Sequence, residues 1–269
     1  MSKRRLLLHI GAPKTGTTSL QSILLKHQQA IRKQGINPLF LNTAASQEFA
    51  ELFGSFEANH FTRAQHLHSL HQAIKYYLPF VFKLNAKLFY NARRYNTTVI
   101  SSEHLFLRLT SQREINHFVQ FMQRFFTHIE VVIYHRSVDS LKKSLYWEYL
   151  KVGGRAKFDR FTEKNHKPQH DCDWAVNAWG NAVGQHAVMV RQYEQTPDVV
   201  DDFLTQVLGL PPNAFYTPAA PGKKRENTSP SFDKFEELRQ YNLAHRDVAA
   251  DGTMCQQARQ ARRDFVKTL

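Results

Sequence analysis

The chain has 269 residues, of which 42% are apolar and 20 are phenylalanine; this is enough to bury the core of one large α/β domain or two small ones, and it excludes intrinsic disorder as the governing state. Lysine and arginine outnumber aspartate and glutamate 36 to 23, a formal charge of +13 with histidine neutral, which points to polyanionic partners such as nucleotides, nucleic acid, anionic glycans or an acidic membrane surface. The two cysteines, Cys172 and Cys255, form no C-x-x-C pair, which excludes a disulfide scaffold and fits a reducing compartment.

The opening MSKRRLLLHI offers only Leu6 to Leu8 as an apolar run before His9, short of the about 7–15 residues of a secretory core. No run approaches the ~20 apolar residues of a membrane span, so the expectation is a cytoplasmic protein. Arg5 to Ile10 reads as a buried strand ending at Gly11, and Thr17 to Lys33 as a helix stopped by Gly35, because Leu20, Ile23, Leu24 and Ile31 recur at helical spacing. Residues 42–95 read as irregular and helical, a helical insertion in which PFVFKLNAKLFYNARRY fits an amphipathic helix with a basic face. The β-branched run Thr97 to Ile100 predicts a second strand, Ser111 to Phe126 a helix, Ile129 to Tyr134 a third strand, and Val138 to Leu150 a helix ended by Gly153-Gly154. The basic, polar segment 155–172 reads as a surface loop or lid, Asp173 to Val183 as a helix, Ala187 to Val190 as a strand, and Val199 to Leu208 as a helix stopped by Pro211-Pro212. Residues 218–269 predict a basic loop, PAAPGKKRENTSPS, a polar helix from about 232 to 249 and a final basic helix. Strands alternating with helices predict one α/β domain over 1–269: three layers of the P-loop type, a central parallel sheet flanked by helices, with ligands beyond the C-terminal strand ends.

Two stretches carry chemistry. In HIGAPKTGTTSL, Gly11-x-x-x-x-Gly16 lies between a strand and a helix and matches half of a Walker A loop, but Thr17 and Thr18 stand where that loop needs Lys and Ser or Thr. Lys14 lies inside the loop instead. The anion-binding physics survives: backbone N–H groups of residues 14–18 meet a helix N-terminus, and the threonine hydroxyls add donors. A lysine so placed suits a single 5′-phosphate and its bridging oxygen rather than a triphosphate. In VVIYHRSVDSLKKSLYWEY, Arg136 ends a strand and Ser144 follows in the next helix; the arginine fork can hold a phosphate bidentately.

Together GAPKTGTTSLQ and the Arg136–Ser144 segment resemble the 5′-phosphosulfate loop and 3′-phosphate motif of the PAPS-dependent sulfotransferases, whose donor is 3′-phosphoadenosine 5′-phosphosulfate. The resemblance implies donor contacts from Pro13, Lys14, Thr15, Gly16, Thr17 and Thr18 at the 5′ end and from Arg136 and Ser144 at the 3′ end, with Ser140 and Lys143 as rival donors. VMVRQYEQ resembles the family's strand with an aromatic–acid ending, which sets Tyr193 near the adenine or in the core. KKRENTSPS stands where family members close a basic loop, making Lys223, Lys224, Arg225, Asn227 and Ser229 candidates. The resemblance further implies PAPS as donor, PAP as product and no required metal. SSEHL follows a buried strand and offers Glu103, favoured, or His104 as the base that takes the acceptor's proton, with Asp173 as the fallback. DCDWAVNAWG resembles an acceptor-pocket segment, so Asp173 and Trp174 are substrate candidates, although core packing is the commoner fate of such tryptophans. The compact loop and the SSE stretch resemble glycan-directed members. The implied acceptor is therefore a carbohydrate or glycolipid, with possible peripheral contact with an anionic membrane surface and no nucleic acid. A P-loop kinase or NTPase and a non-enzymatic nucleotide- or nucleic-acid-binding module are the rivals. The histidines of HLHSLH read as a solvated face rather than a metal site.

Overall fold

The computed structural model describes residues 4–41, 46–54, 70–165, 171–218, 230–245 and 256–269. Arg225, Asn227 and Ser229, with Lys223 and Lys224, lie outside them, as do His66 and His68.

By contacts the chain groups into two compact units, Met1–Arg136 with Pro168–Ala219, and Ser137–Lys167 with Ala220–Leu269. The first holds a five-stranded, all-parallel sheet in the order β2-β3-β1-β4-β5: β1 Arg5–His9, β2 Ile36–Pro38, β3 Thr97–Ser101, β4 His128–His135 and β5 Val188–Gln192. Its class is the expected α/β one. Register pairs Leu7 with Val99 on one side and Glu130 on the other. Helices cover both faces of the sheet's centre, so β1 and β4 carry continuous apolar runs, Leu6 to Leu8 and Val131 to Tyr134. Leu6, Leu8 and Ile10 pack with Ile100, Val131 and Ile133 against Leu84, Leu88, Phe118, Met122, Ala175 and Trp179. Leu7, Val99, Val132 and Tyr134 face the other way, onto Leu20, Leu24, Ile31, Phe203 and Leu204. One strand's alternation thus builds two cores.

Several elements differ from the sequence reading. β2 was not expected: INP is too short and polar to show a period. It exists because buried Asn37 donates to Asn91 Oδ1 (2.9 Å) and accepts from Arg32 Nε (2.7 Å), and because Leu39 N donates to Val99 O (2.8 Å). The first helix breaks at His27 into Thr17–Lys26 and Gln28–Lys33. The span 155–172 is not all loop, since Phe158–Asn165 is helical, its Phe158 and Phe161 packing on an aromatic cluster. Val199–Asp202 passes into a π-helical turn, Phe203–Val207. Leu70–Arg94 forms one long helix with Pro79 inside it. No helix among the described residues is long and apolar enough to cross a membrane.

The second unit is helical: Val138–Lys151, Phe158–Asn165, Phe232–Ala244 and Gln256–Thr268. Tyr146, Leu150, Phe161, Phe235 and Leu238 form its core. Buried Asn242 donates to the Leu150 and Gly154 carbonyls (both 2.8 Å) and accepts from Arg262 Nε (2.8 Å). These bonds satisfy polar groups whose burial would otherwise destabilise the unit.

Candidate nucleotide site at the carboxyl ends of the strands

In a parallel sheet the chain leaves every strand at the same edge. The segments after β1, β3, β4 and β5 therefore emerge on one side of the first unit, where the strand order reverses about β1. A cavity of about 280 Å³ lined by Gln123, His128, Glu130 and His186 lies by the opposite ends of β4 and β5 and involves no expected site residue.

The loop after β1 is tightly built. Ile10 N donates to Val132 O (3.1 Å) and Ser102 N to His9 O (2.9 Å), fixing where the loop departs. A Cβ on Gly11 would lie 2.2 Å from Thr17 Oγ1, so only glycine fits there. Thr15, fully buried, donates its hydroxyl to Ala12 O (2.7 Å) and closes the turn. Lys14 and Gly16 both adopt left-handed backbone, at φ 63° and 82°. For lysine that conformation is strained by about 1 kcal/mol or more, a cost typical of ligand-gripping turns. Pro13 and Thr17 are buried, whereas Lys14 and Thr18 are exposed.

Gly16 is the N-cap of Thr17–Lys26, with no side-chain cap and no acidic residue in the first turn. No acid in the helix's own first turn therefore answers the leading N–H groups and the positive end of the helix dipole. Thr17 Oγ1 is buried with no hydrogen-bond partner among the described residues. An unsatisfied hydroxyl beside an uncapped helix start fits a bound anion.

Arg136 follows the last residue of β4 and is 3% exposed. Its Nη1 donates to Lys14 O (3.1 Å), and its guanidinium carbon stands 5.1 Å from the centre of the Tyr193 ring. Tyr193 opens the turn after β5, whose register with β4 pairs His135 with Gln192. Three expected site residues, Lys14, Arg136 and Tyr193, are thus brought together by strand register. Arg136 N donates to Cys172 Sγ (3.4 Å), and burial pushes that thiol up to about 11, so Cys172 is a packing residue and no nucleophile.

Glu103 and His104 open the helix Glu103–Arg108 directly after β3. Burial, then the Arg108 guanidinium, holds His104 below its ordinary range, and its Nδ1 is buried without a partner among the described residues. Its imidazole is therefore neutral near neutral pH, the form a base requires. Asp173 is 79% exposed and pairs with His135 Nε2 at 2.8 Å. Trp174 is half-buried against the first core, and Trp179 is fully buried, edge-on to Phe118. Ser144 belongs to the second unit, buried on Val138–Lys151. There Lys143 holds its ammonium 5.3 Å from the Phe232 ring, and Ser140 N donates to Ser137 Oγ. Among the described residues no three His, Cys, Asp or Glu side chains form a metal-holding group.

Two residues escaped the sequence reading. His135, the partner of Asp173, is one. The other is His9, whose signal was a lone histidine closing an apolar strand just before the glycine loop. It is fully buried; its Nδ1 lies 2.8 Å from Ser101 Oγ, and its ring meets Tyr134 and Phe203. Gln21 Nε2 donates to Ser101 O (3.2 Å), so His9 ties the loop's root to β3. Burial lowers its pKa from 6.5 to about 3. The unfolded chain then binds a proton that the folded chain refuses. Stability is unaffected by this group above pH 6.5 and is lost as pH falls from there to about 3, with a slope of about 1.4 kcal/mol per pH unit. Urea titrations across that range should show His9→Gln losing about one proton's worth of slope; an unchanged slope would show that His9 is not the group responsible.

No family model and no curated protein matches the chain. Among solved structures it is similar to a sulfotransferase from Alicyclobacillus acidocaldarius, at 16% identity and a TM-score of 0.47, covering 91% of this chain and 97% of that one. It is also similar to the sulfotransferase domain from the curacin biosynthetic pathway, at 13% identity and a TM-score of 0.35, covering 99% and 98%. At these scores neither match bears on activity.

Proposed function

We propose that the chain is a cytoplasmic sulfotransferase that moves a sulfuryl group from PAPS to a hydroxyl, most suitably on a carbohydrate or glycolipid. The observation that carries this reading is the meeting of Arg136 with the Lys14 carbonyl and the Tyr193 ring. It sets a buried guanidinium and an aromatic face beside a phosphate-type loop whose lysine is out of place for a triphosphate. The unsatisfied Thr17 hydroxyl and the uncapped helix start are donors of the kind a 5′-phosphosulfate needs.

PAPS would supply the sulfuryl group and a phosphate leaving group. In this reading the Lys14 ammonium and the first N–H groups of Thr17–Lys26 neutralise the oxygen charge that grows as the sulfur–oxygen bond breaks. Arg136 holds the 3′-phosphate and Tyr193 packs near the base. Glu103, at the same sheet edge, takes the acceptor's proton. His104 is the second reading for that role, favoured by the burial that keeps it neutral. No step calls for a metal.

Calorimetric titration with PAP, with ATP as control, tests the reading. PAP should bind and ATP should bind far more weakly. Equal affinity with magnesium-dependent ATP hydrolysis would establish the kinase or NTPase reading instead. Salt-sensitive RNA binding without PAP affinity would establish the non-enzymatic module.

A further inference from the structure

The helix Leu70–Arg94 carries an outer face that neither core uses. Leu84, Leu88 and Ala92 point into the first core. About 100° round the helix from them, Leu78, Phe82 and Phe89 are exposed, at 49%, 69% and 50%. Spaced four and seven residues apart, they form one apolar stripe about 16 Å long. Exposed Lys75, Lys83, Arg93 and Arg94 flank it, and the helix contains no acidic residue. Arg93 stacks its guanidinium 3.7 Å from the Phe89 ring centre, and Arg94 lies 5.6 Å from that of exposed Tyr90. Lys87, by contrast, turns its ammonium inward to the Phe40 carbonyl.

We infer that this face docks the protein, lying flat, on a membrane surface rich in anionic lipid. Cations without a single intervening acid match a negative surface, and long basic side chains reach headgroup phosphates while their stems lie along apolar ground. The Leu78–Phe82–Phe89 stripe matches the acyl boundary, where an amphipathic helix buries its apolar edge. A soluble polyanion would satisfy the cations but would leave this stripe in water. The inference is independent of the nucleotide site and stands or falls without it.

Co-sedimentation of the full chain with vesicles tests it. Vesicles of phosphatidylcholine and phosphatidylserine in equal parts should pull the protein down, and pure phosphatidylcholine should not. Phe82→Ser with Phe89→Ser should weaken binding at least about tenfold. Lys83→Glu with Arg94→Glu removes four units of positive charge and should weaken it about 600-fold, at roughly fivefold per charge unit. Both pairs are exposed, so native melting is expected, and each pair reads the inference should the other misfold. Absence of vesicle binding overturns it. So does binding that the phenylalanine pair leaves unchanged while heparin or RNA competes fully, since the patch would then serve a soluble polyanion.

Discussion

Replacing Lys14 with alanine is expected to cut sulfuryl transfer by about 10³-fold, the scale for removing one donor aimed at developing charge. The fold should survive, because the lysine side chain is exposed and the turn is held by other groups: the Thr15 hydroxyl on Ala12, the Gly11 fit over Thr17, and Ile10 on Val132. Transfer of labelled sulfuryl from PAPS to a panel of hydroxyl acceptors measures the first part, and urea unfolding the second. Near-native transfer by Lys14→Ala would end the assignment of this loop to a phosphosulfate. A large loss of stability would show that the side chain is structural.

Arg136 should control discrimination rather than binding as such. The native protein is expected to prefer PAP over 5′-AMP, which lacks the 3′-phosphate. Arg136→Lys should erase most of that preference, about 100-fold if two charge-assisted hydrogen bonds are lost. Lysine keeps the charge but not the planar fork. The ratio of the two affinities is the decisive readout, because Arg136 also braces the loop through Lys14 O. A purely bracing arginine would weaken both ligands equally, and an unchanged ratio would remove the 3′-phosphate from this position.

The sequence shows the centre of the sheet and hides its edge. β1, β3 and β4 are covered on both faces, so each carries a stretch of apolar or β-branched residues that stands out: Leu6 to Leu8, Thr97 to Ile100 and Val131 to Tyr134. β2 is held by side-chain bonds of Asn37 to residues 5 and 54 positions away, and no local pattern records such partners. The break at His27 is hidden for a related reason: Gln28–Lys33 continues the helical period across it.

The site divides the same way. The loop and Arg136 were legible because each needs special residues in one short stretch: glycines for backbone approach, a lysine within the turn, an arginine where a strand stops. What was not legible is contact. Arg136 meets Lys14 across 122 positions, and His135 meets Asp173 across 38. His9 looked like the end of an apolar run, whereas it is a buried polar tie to Ser101. Trp174 shows the limit from the other side, since its half-burial against the first core matches the packing fate that a sequence motif cannot tell from a binding one.

The left-handed backbone of Lys14 has a consequence for how this chain responds to selection. Random variants ranked only by yield of folded protein would drift toward glycine at position 14, which adopts φ 63° without penalty. Ranked by turnover, the same library would hold lysine. A position at which the two rankings part company is one where the chain tolerates a local conformational debt in exchange for chemistry.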